Sequence, residues 1–418
     1  MAVRLRGRKK LSPEHDLLLA CARSRLGPER LARVQKAIGD GFDWDILWSL
    51  ARAHGVGYFV GNHLCGANAI TNGNPKPTGS SPWTLPPRVR QQIQHDLWQE
   101  TAHALILRDQ QLRLNAELSR AAIPVLWLKG LILADQLYGQ YEARHCGDLD
   151  LLADPSDIPR LEELLAQLGF ERFRPSEAGT EFHPMAAHHT TWSARVLPDW
   201  QLIVEVHHRL SGPASCQPTA ADLLHRSRLI SFHGQDFRVP SLEDELLILC
   251  LHAHHHQYAL LRCLMDVAEF VGRFRDQIDW PELVARARRH HCLGRLRAGL
   301  EIADALLGLE NRDEVLAQVP ALTPRQRWAI RSLPMVMLLD PRTQENDLRQ
   351  AQLALLMDSW ADAVRTLSPR IFPSGEHVRS LCPISWRDIP GLARINYYLH
   401  SAGRLLQRGS AGSLVRTR

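Results

Sequence analysis

No apolar run in this chain approaches the roughly 20 residues that span a bilayer as a helix, so no membrane span is expected. The first thirty residues carry recurrent charge and lack the apolar centre of a secretory signal. None of the eight cysteines belongs to a C-x-x-C pair. Scattered thiols of this kind fit a reduced, cytoplasmic setting and argue against a disulfide framework. No repeat recurs at a fixed period, and composition nowhere collapses into low complexity. What is present is globular: 45% hydrophobic and 23% charged residues over 418 positions, enough for two or three domains. Much of the net charge of +5 sits at the two ends, R-L-R-G-R-K-K and R-L-L-Q-R-G-S-A-G-S-L-V-R-T-R. These read as basic tails rather than a nucleic-acid face.

Organisation follows from the changes in period. Residues 11–65 read as helices, with Ser12 and Pro13 opening one and Gly55 closing another. Residues 67–87 are rich in Asn, Gly, Pro and Ser and read as a linker, and a long helical pattern then runs from about Arg88 to Arg120. At Ile123 the character changes. I-P-V-L-W-L suits a buried strand, L-I-L-A-D-Q-L-Y a helix, and D-L-D-L-L-A a second strand. D-I-P-R-L-E-E-L-L-A-Q-L-G-F has a capping Asp157 and a terminating Gly169. W-S-A-R-V-L and Q-L-I-V-E-V-H then alternate as strands do. After Pro240 the pattern is helical, with breaks near 309–325, 341–346 and 368–391. The expected domains are therefore 1–87, 88–239 and 240–418. The fold class is α+β, a compact β-α-β-α-β-β unit flanked by helices.

The chemistry concentrates in C-G-D-L-D-L-L-A, residues 146–153. On a strand, Asp148 and Asp150 share one face while Leu149 and Leu151 take the other. Like charges side by side in an apolar run call for a cation, and oxygen ligands suit a hard divalent ion. Glu205, between Val204 and Val206, is a third carboxylate on an apolar strand. Three such groups on adjacent strands can hold two Mg²⁺ ions, an arrangement that clamps the attacking and leaving oxygens of a displacement at phosphorus. Upstream, the strand–Gly130–helix junction offers free backbone N–H groups to a polyphosphate. A structural use remains open, with Asp148 capping a turn and Asp150 paired with Arg144.

These motifs resemble the polymerase-β-like nucleotidyltransferase superfamily, with its glycine turn, h-D-h-[DE]-h and later carboxylate. More closely they resemble an uncharacterised bacterial nucleotidyltransferase family marked by L-K-G (128–130), R-H-C-G-D-L-D-L-L (144–152) and E-V-H (205–207). The resemblance extends over about residues 10–310. It implies that Asp148, Asp150 and Glu205 bind Mg²⁺ (or Mn²⁺) and carry catalysis. It also implies that an NTP is the substrate, contacted by Lys129, Gly130, Arg144, Gly147 and His207, and that the acceptor is a small molecule, a protein or RNA. One of the carboxylates, or a metal-bound acceptor hydroxyl, would set up deprotonation of the nucleophile. The chain departs from the superfamily where Leu131, not Ser or Gly, follows Gly130. That loses a hydroxyl donor and throws phosphate contact onto Lys129.

Three further features carry alternatives. His252, His255 and His256 share a helix face, to which Asp266 and Glu245 could add carboxylates. A zinc hydrolase could use them, or they could simply line the cleft. Arg144 suits a phosphate, or an ion pair with Asp150 or Glu142. R-A-R-R-H-H-C-L-G-R-L-R (286–297) reads as a basic helix, either solvated or facing a polyanion. A nucleotide- or RNA-binding regulator without turnover, of the toxin–antitoxin kind, is the rival function.

Overall fold

The apolar run at 125–128 and the D-L-D-L-L-A stretch become neighbouring strands, and the other elements are arranged around them. The computed structural model describes residues 11–65, 83, 85–173, 188–198, 200–210, 213–341 and 347–371. The two basic tails and most of the 67–87 linker lie outside the described residues. Helices α1 (Pro13–Cys21), α2 (Pro28–Asp40), α3 (Trp44–Ala53) and α4 (Gly57–Cys65) precede the long α5 (Pro87–Arg120). Next come β1 (Val125–Leu128), α6 (Gly130–Tyr138), β2 (Leu149–Ala153), α7 (Ile158–Gln167), β3 (Glu171–Arg172), β4 (His189–Leu197) and β5 (Trp200–His207). Helix α8 (Ala220–His225) leads into the strands β6 (Arg228–Phe232) and β7 (Gln235–Val239). Helices α9 (Leu242–His255), α10 (Leu261–Phe274), α11 (Trp280–Arg289) and α12 (Leu293–Leu307) follow. The described chain ends with α13 (Arg312–Gln318), α14 (Pro324–Arg331), α15 (Met335–Leu338), α16 (Asp347–Ala354) and α17 (Trp360–Ile371).

The fold is α+β, with one small mixed sheet in the order β1-β2-β5-β4-β3. Strand β2 runs antiparallel to β1 and parallel to β5, and β4 runs antiparallel to β5. Period-2 alternation divides the sheet's apolar residues between two cores. Val125, Trp127, Leu149, Leu151, Val204 and Val206 pack with Leu107, Leu114 and Leu118 of α5 and Leu161 and Leu165 of α7. Leu126, Leu128 and Leu152 face the other way and join the larger cluster, built from α1, α3, α4, α9, α10 and α12. Asp150, between Leu149 and Leu151, is on this second side, so its carboxylate is directed toward the helices that follow the sheet.

The sequence analysis predicts no element over residues 228–239, yet they form a two-stranded hairpin turned by His233 and Gly234, both at positive φ (49° and 80°). That is the backbone a two-residue hairpin loop demands. Trp127, Phe232 and Phe237 pack edge to face within its core, and Asn115 ties α5 to Trp127, Gln235 and Asp236. The basic stretch 286–297 is not one helix. It breaks at His290 and His291, the latter at φ 51°. Arg286 and Arg295 are buried, Arg286 against Glu282, Glu243 and Asp244 and Arg295 against the Cys216 carbonyl, so these charges hold helices together. Helix α13 also lies inside the expected 309–325 break. All seven cysteines among the described residues are buried and free, and no helix there is long and apolar enough to cross a membrane.

Candidate functional site

Parallel pairing of β2 with β5 sets Asp150 directly beside Glu205, and antiparallel pairing of β4 with β5 sets His189 beside His207. Because side chains two apart share a face, one side of three strands carries Asp150, Glu205, His207 and His189. Asp148 stands one residue before β2. The loop 144–147 that delivers it is clamped three ways. Arg144, 5% exposed, donates to the fully buried Asp266 of α10 at 2.9 Å. Arg262 donates to the His145 carbonyl at 2.6 Å, and His145 Nδ1 lies 2.6 Å from Glu100 of α5.

These groups border a cavity of about 400 Å³ whose lining includes Lys129, Arg144, Gly147, Asp148, Asp150, Glu205 and His207, together with His252 and His255 of α9 and His256 just after it. Every site residue expected from sequence therefore borders this space except Gly130, which opens helix α6 immediately behind Lys129. Arg144 borders it with its guanidinium committed to Asp266, not to Asp150 or Glu142. Asp266 also accepts from Tyr138 at 3.0 Å, so it is already satisfied as a partner of Arg144. Glu245, in the first turn of α9, is buried, and burial pushes its pKa up to about 7. Four residues that the sequence reading passed over also line the cavity: His145, His188, His189 and Arg262.

Asp150 is the electrostatic centre. Lys129 Nζ lies 3.2 Å from its Oδ2, and His207 Nε2 lies 2.9 Å from its Oδ1. Burial pushes its pKa up, but the Lys129 ammonium and the His207 hydrogen bond outweigh that and hold it well below the usual carboxylate range. At Asp148 the balance is reversed, because the pull of Lys129 and Arg262 is the smaller contribution. Burial, and then repulsion from Asp150 and Glu205, raise it to about 6. Glu205 is raised by burial but held low by the hydrogen bond with His207, 3.3 Å away. His207 is pushed down by burial yet pulled above its ordinary value by Asp150 and Glu205. His189, His252 and His255 are all lowered, chiefly by burial, and so sit neutral.

Lys129 reaches Asp150 from a strained backbone, φ 49° and ψ −130°, followed by Gly130 at φ 63°. A non-glycine residue in that region costs about 1–3 kcal/mol and persists where the surrounding contacts fix it. The contacts here are Asp150 and His252, whose Nδ1 is 3.4 Å from the ammonium. A metal-binding capacity is visible in the donors. Asp150, Glu205 and His207 present ligand atoms within 4.8 Å of one another, and so do His188, His189 and His207. The raised Asp148 marks an excess of negative charge that a divalent cation would relieve.

No curated protein matches this chain. The model of a family described as uncharacterised nucleotidyltransferase matches residues 40–308, which is more than half of the sequence and contains the whole sheet and its cavity, and the chain belongs to that family.

Proposed function

We propose that the protein is a divalent-metal-dependent nucleotidyltransferase of the polymerase-β-like superfamily. It moves a nucleoside monophosphate from an NTP to an acceptor. The bond between the α-phosphorus and its bridging oxygen breaks, a bond from the acceptor forms, and pyrophosphate leaves. The observation that carries this reading is the pairing of Asp150 with Glu205 across two parallel strands, with Asp148 at the same cavity. Asp148, Asp150 and Glu205 would hold Mg²⁺ or Mn²⁺, hard ions that prefer oxygen. Bound there, the ions supply charge to the phosphates and activate the acceptor oxygen. Lys129 and the start of α6 bind the triphosphate, Gly130 and Gly147 let it approach the backbone, and His207 orients Asp150 and Glu205. Arg144 fixes the 144–148 loop through Asp266 and adds positive potential behind the phosphates. The site belongs to residues 88–239, closed by α9 and α10 from the part that follows. Transfer of label from an α-phosphate-labelled NTP tests the proposal.

One observation favours the rival, a nucleotide-binding regulator without turnover. Both oxygens of Asp150 already have partners inside the protein, Lys129 and His207, so this carboxylate is compensated without a metal. Under that reading NTP binds, and more tightly with Mg²⁺, but no pyrophosphate appears with any acceptor.

A further inference from the structure

Beside the carboxylates, the cavity carries a second donor set of different chemistry. His189 opens β4 with His188 immediately before it, and β5 returns His207 directly opposite His189. The three rings lie with centroids 4.5, 5.0 and 5.5 Å apart, and each offers a nitrogen within 4.8 Å of the others. His207 is only 7% exposed, and its Nδ1 is buried with no hydrogen-bond partner, as is Nδ1 of His189. Leaving two ring nitrogens unsatisfied in the interior is costly unless something accepts their lone pairs.

The other nitrogen of each ring explains what that something is. His207 Nε2 is hydrogen-bonded to Asp150 at 2.9 Å, and His189 Nε2 lies 3.6 Å from Glu205. A carboxylate bonded to Nε2, as Asp150 is to His207, keeps a proton there, so that a metal at Nδ1 takes the lone pair of the neutral imidazole, the arrangement that supports metal-ligating histidines. The geometry points to His188, His189 and His207 as a nitrogen-donor site for a zinc-class divalent ion, separate from the oxygen-donor site proposed for Mg²⁺. Imidazole suits zinc, whereas Mg²⁺ prefers carboxylate and water. Three protein nitrogens leave the fourth tetrahedral position to water or a ligand in the cavity. His207, shared between this set and Asp150, makes the two sites neighbours through one side chain. The inference does not depend on nucleotidyl transfer, because zinc can be measured without nucleotide.

The test uses the full chain stripped of metal and titrated with Zn²⁺ by calorimetry, with Co²⁺ as a spectroscopic stand-in. The expected result is one zinc ion bound, with affinity reduced at least tenfold in His189→Gln and in His188→Gln. Binding should be retained in Cys263→Ser, and the Co²⁺ spectrum should lack a thiolate charge-transfer band. That control matters because His252, His256 and Cys263 form another close group. His189 is half-buried, so His189→Gln is the variant that keeps its fold, and melting curves check both. Absence of zinc binding, affinity unchanged in His189→Gln, or a thiolate band abolished by Cys263→Ser would each overturn the assignment.

Discussion

Two aspartates separated by a single leucine have opposite electrostatics. Asp150 is held by Lys129 and His207, while Asp148 faces two other carboxylates with its pKa raised to about 6. Folding raises the Asp148 pKa, so its ionisation weakens the metal-free fold as pH rises through that value. Asp148→Asn should therefore stabilise the metal-free protein by about 1–3 kcal/mol at pH 8, an advantage that shrinks toward pH 5. Asp150→Asn should do the reverse. Its charge stabilises the fold above the ordinary aspartate pKa, and removing it leaves Lys129 and His207 buried without their partner, at a cost of about 3–5 kcal/mol. Urea denaturation of both variants without metal decides the matter, and a destabilised Asp148→Asn would show that this aspartate is structural. Asp148, Asp150 and Glu205 were legible because a lone carboxylate in an apolar strand has few uses. His188 and His189 were passed over because their importance arises only from pairing with β5. Pairing of Leu197 with Trp200 would by itself set His189 against His208, and the register shift between Arg195 and Leu197 is what brings it opposite His207, a displacement that no sequence pattern announces.

At the scale of elements, the junction of β1 with α6 carries the binding argument. Lys129 holds its strained conformation between Asp150 and His252, with the start of α6 immediately behind. Phosphate contact predicts that Lys129→Met weakens NTP binding by about 1.5–3 kcal/mol, the range for a charge-assisted hydrogen bond. The unphosphorylated nucleoside should lose much less. Calorimetry with the two ligands separates the cases, and equal losses would mean that Lys129 does not read the phosphates. The long α5 and the terminators Gly55 and Gly169, both at positive φ, were readable from periodicity and punctuation. The β6–β7 hairpin carried its own signal, R-L-I-S-F and Q-D-F-R-V around His-Gly, but each run is only five residues long and mixes charge into the alternation. The 286–297 stretch misled because arginine content says nothing about partners. Glu282 stands one turn before Arg286 on α11, but Glu243 and Asp244 reach it only through the fold.

The whole molecule buries its sheet between helices from both sides of the sequence, and many of its titratable groups are buried with it. His54 and His254 are held down to about 4 and about 3, mainly by burial, and His252 and His255 also stay well below their ordinary value. Each binds fewer protons folded than unfolded, so each favours the fold above pH 6.5 and withdraws that support as pH falls. Glu245 and Asp148, raised to about 7 and about 6, act in the opposite sense but are fewer. Stability of the metal-free protein should therefore fall between pH 6.5 and 5, by about 1.4 kcal/mol per pH unit for each net proton taken up on unfolding. Denaturation midpoints across that range measure it, and a midpoint that rises on acidification would contradict the buried neutral histidines. The central claim, that this cavity transfers a nucleotidyl group, is tested most directly by following the phosphates. Full-length protein with Mg²⁺ or Mn²⁺ and cell extract as acceptor source is given NTP labelled at the α- or the γ-phosphate, beside Asp150→Asn. The account predicts α-label joined covalently to an acceptor, γ-label released in pyrophosphate, and neither event with Asp150→Asn. Transfer of the γ-label, no α-label transfer by the wild-type protein, or equal transfer by the variant would contradict it.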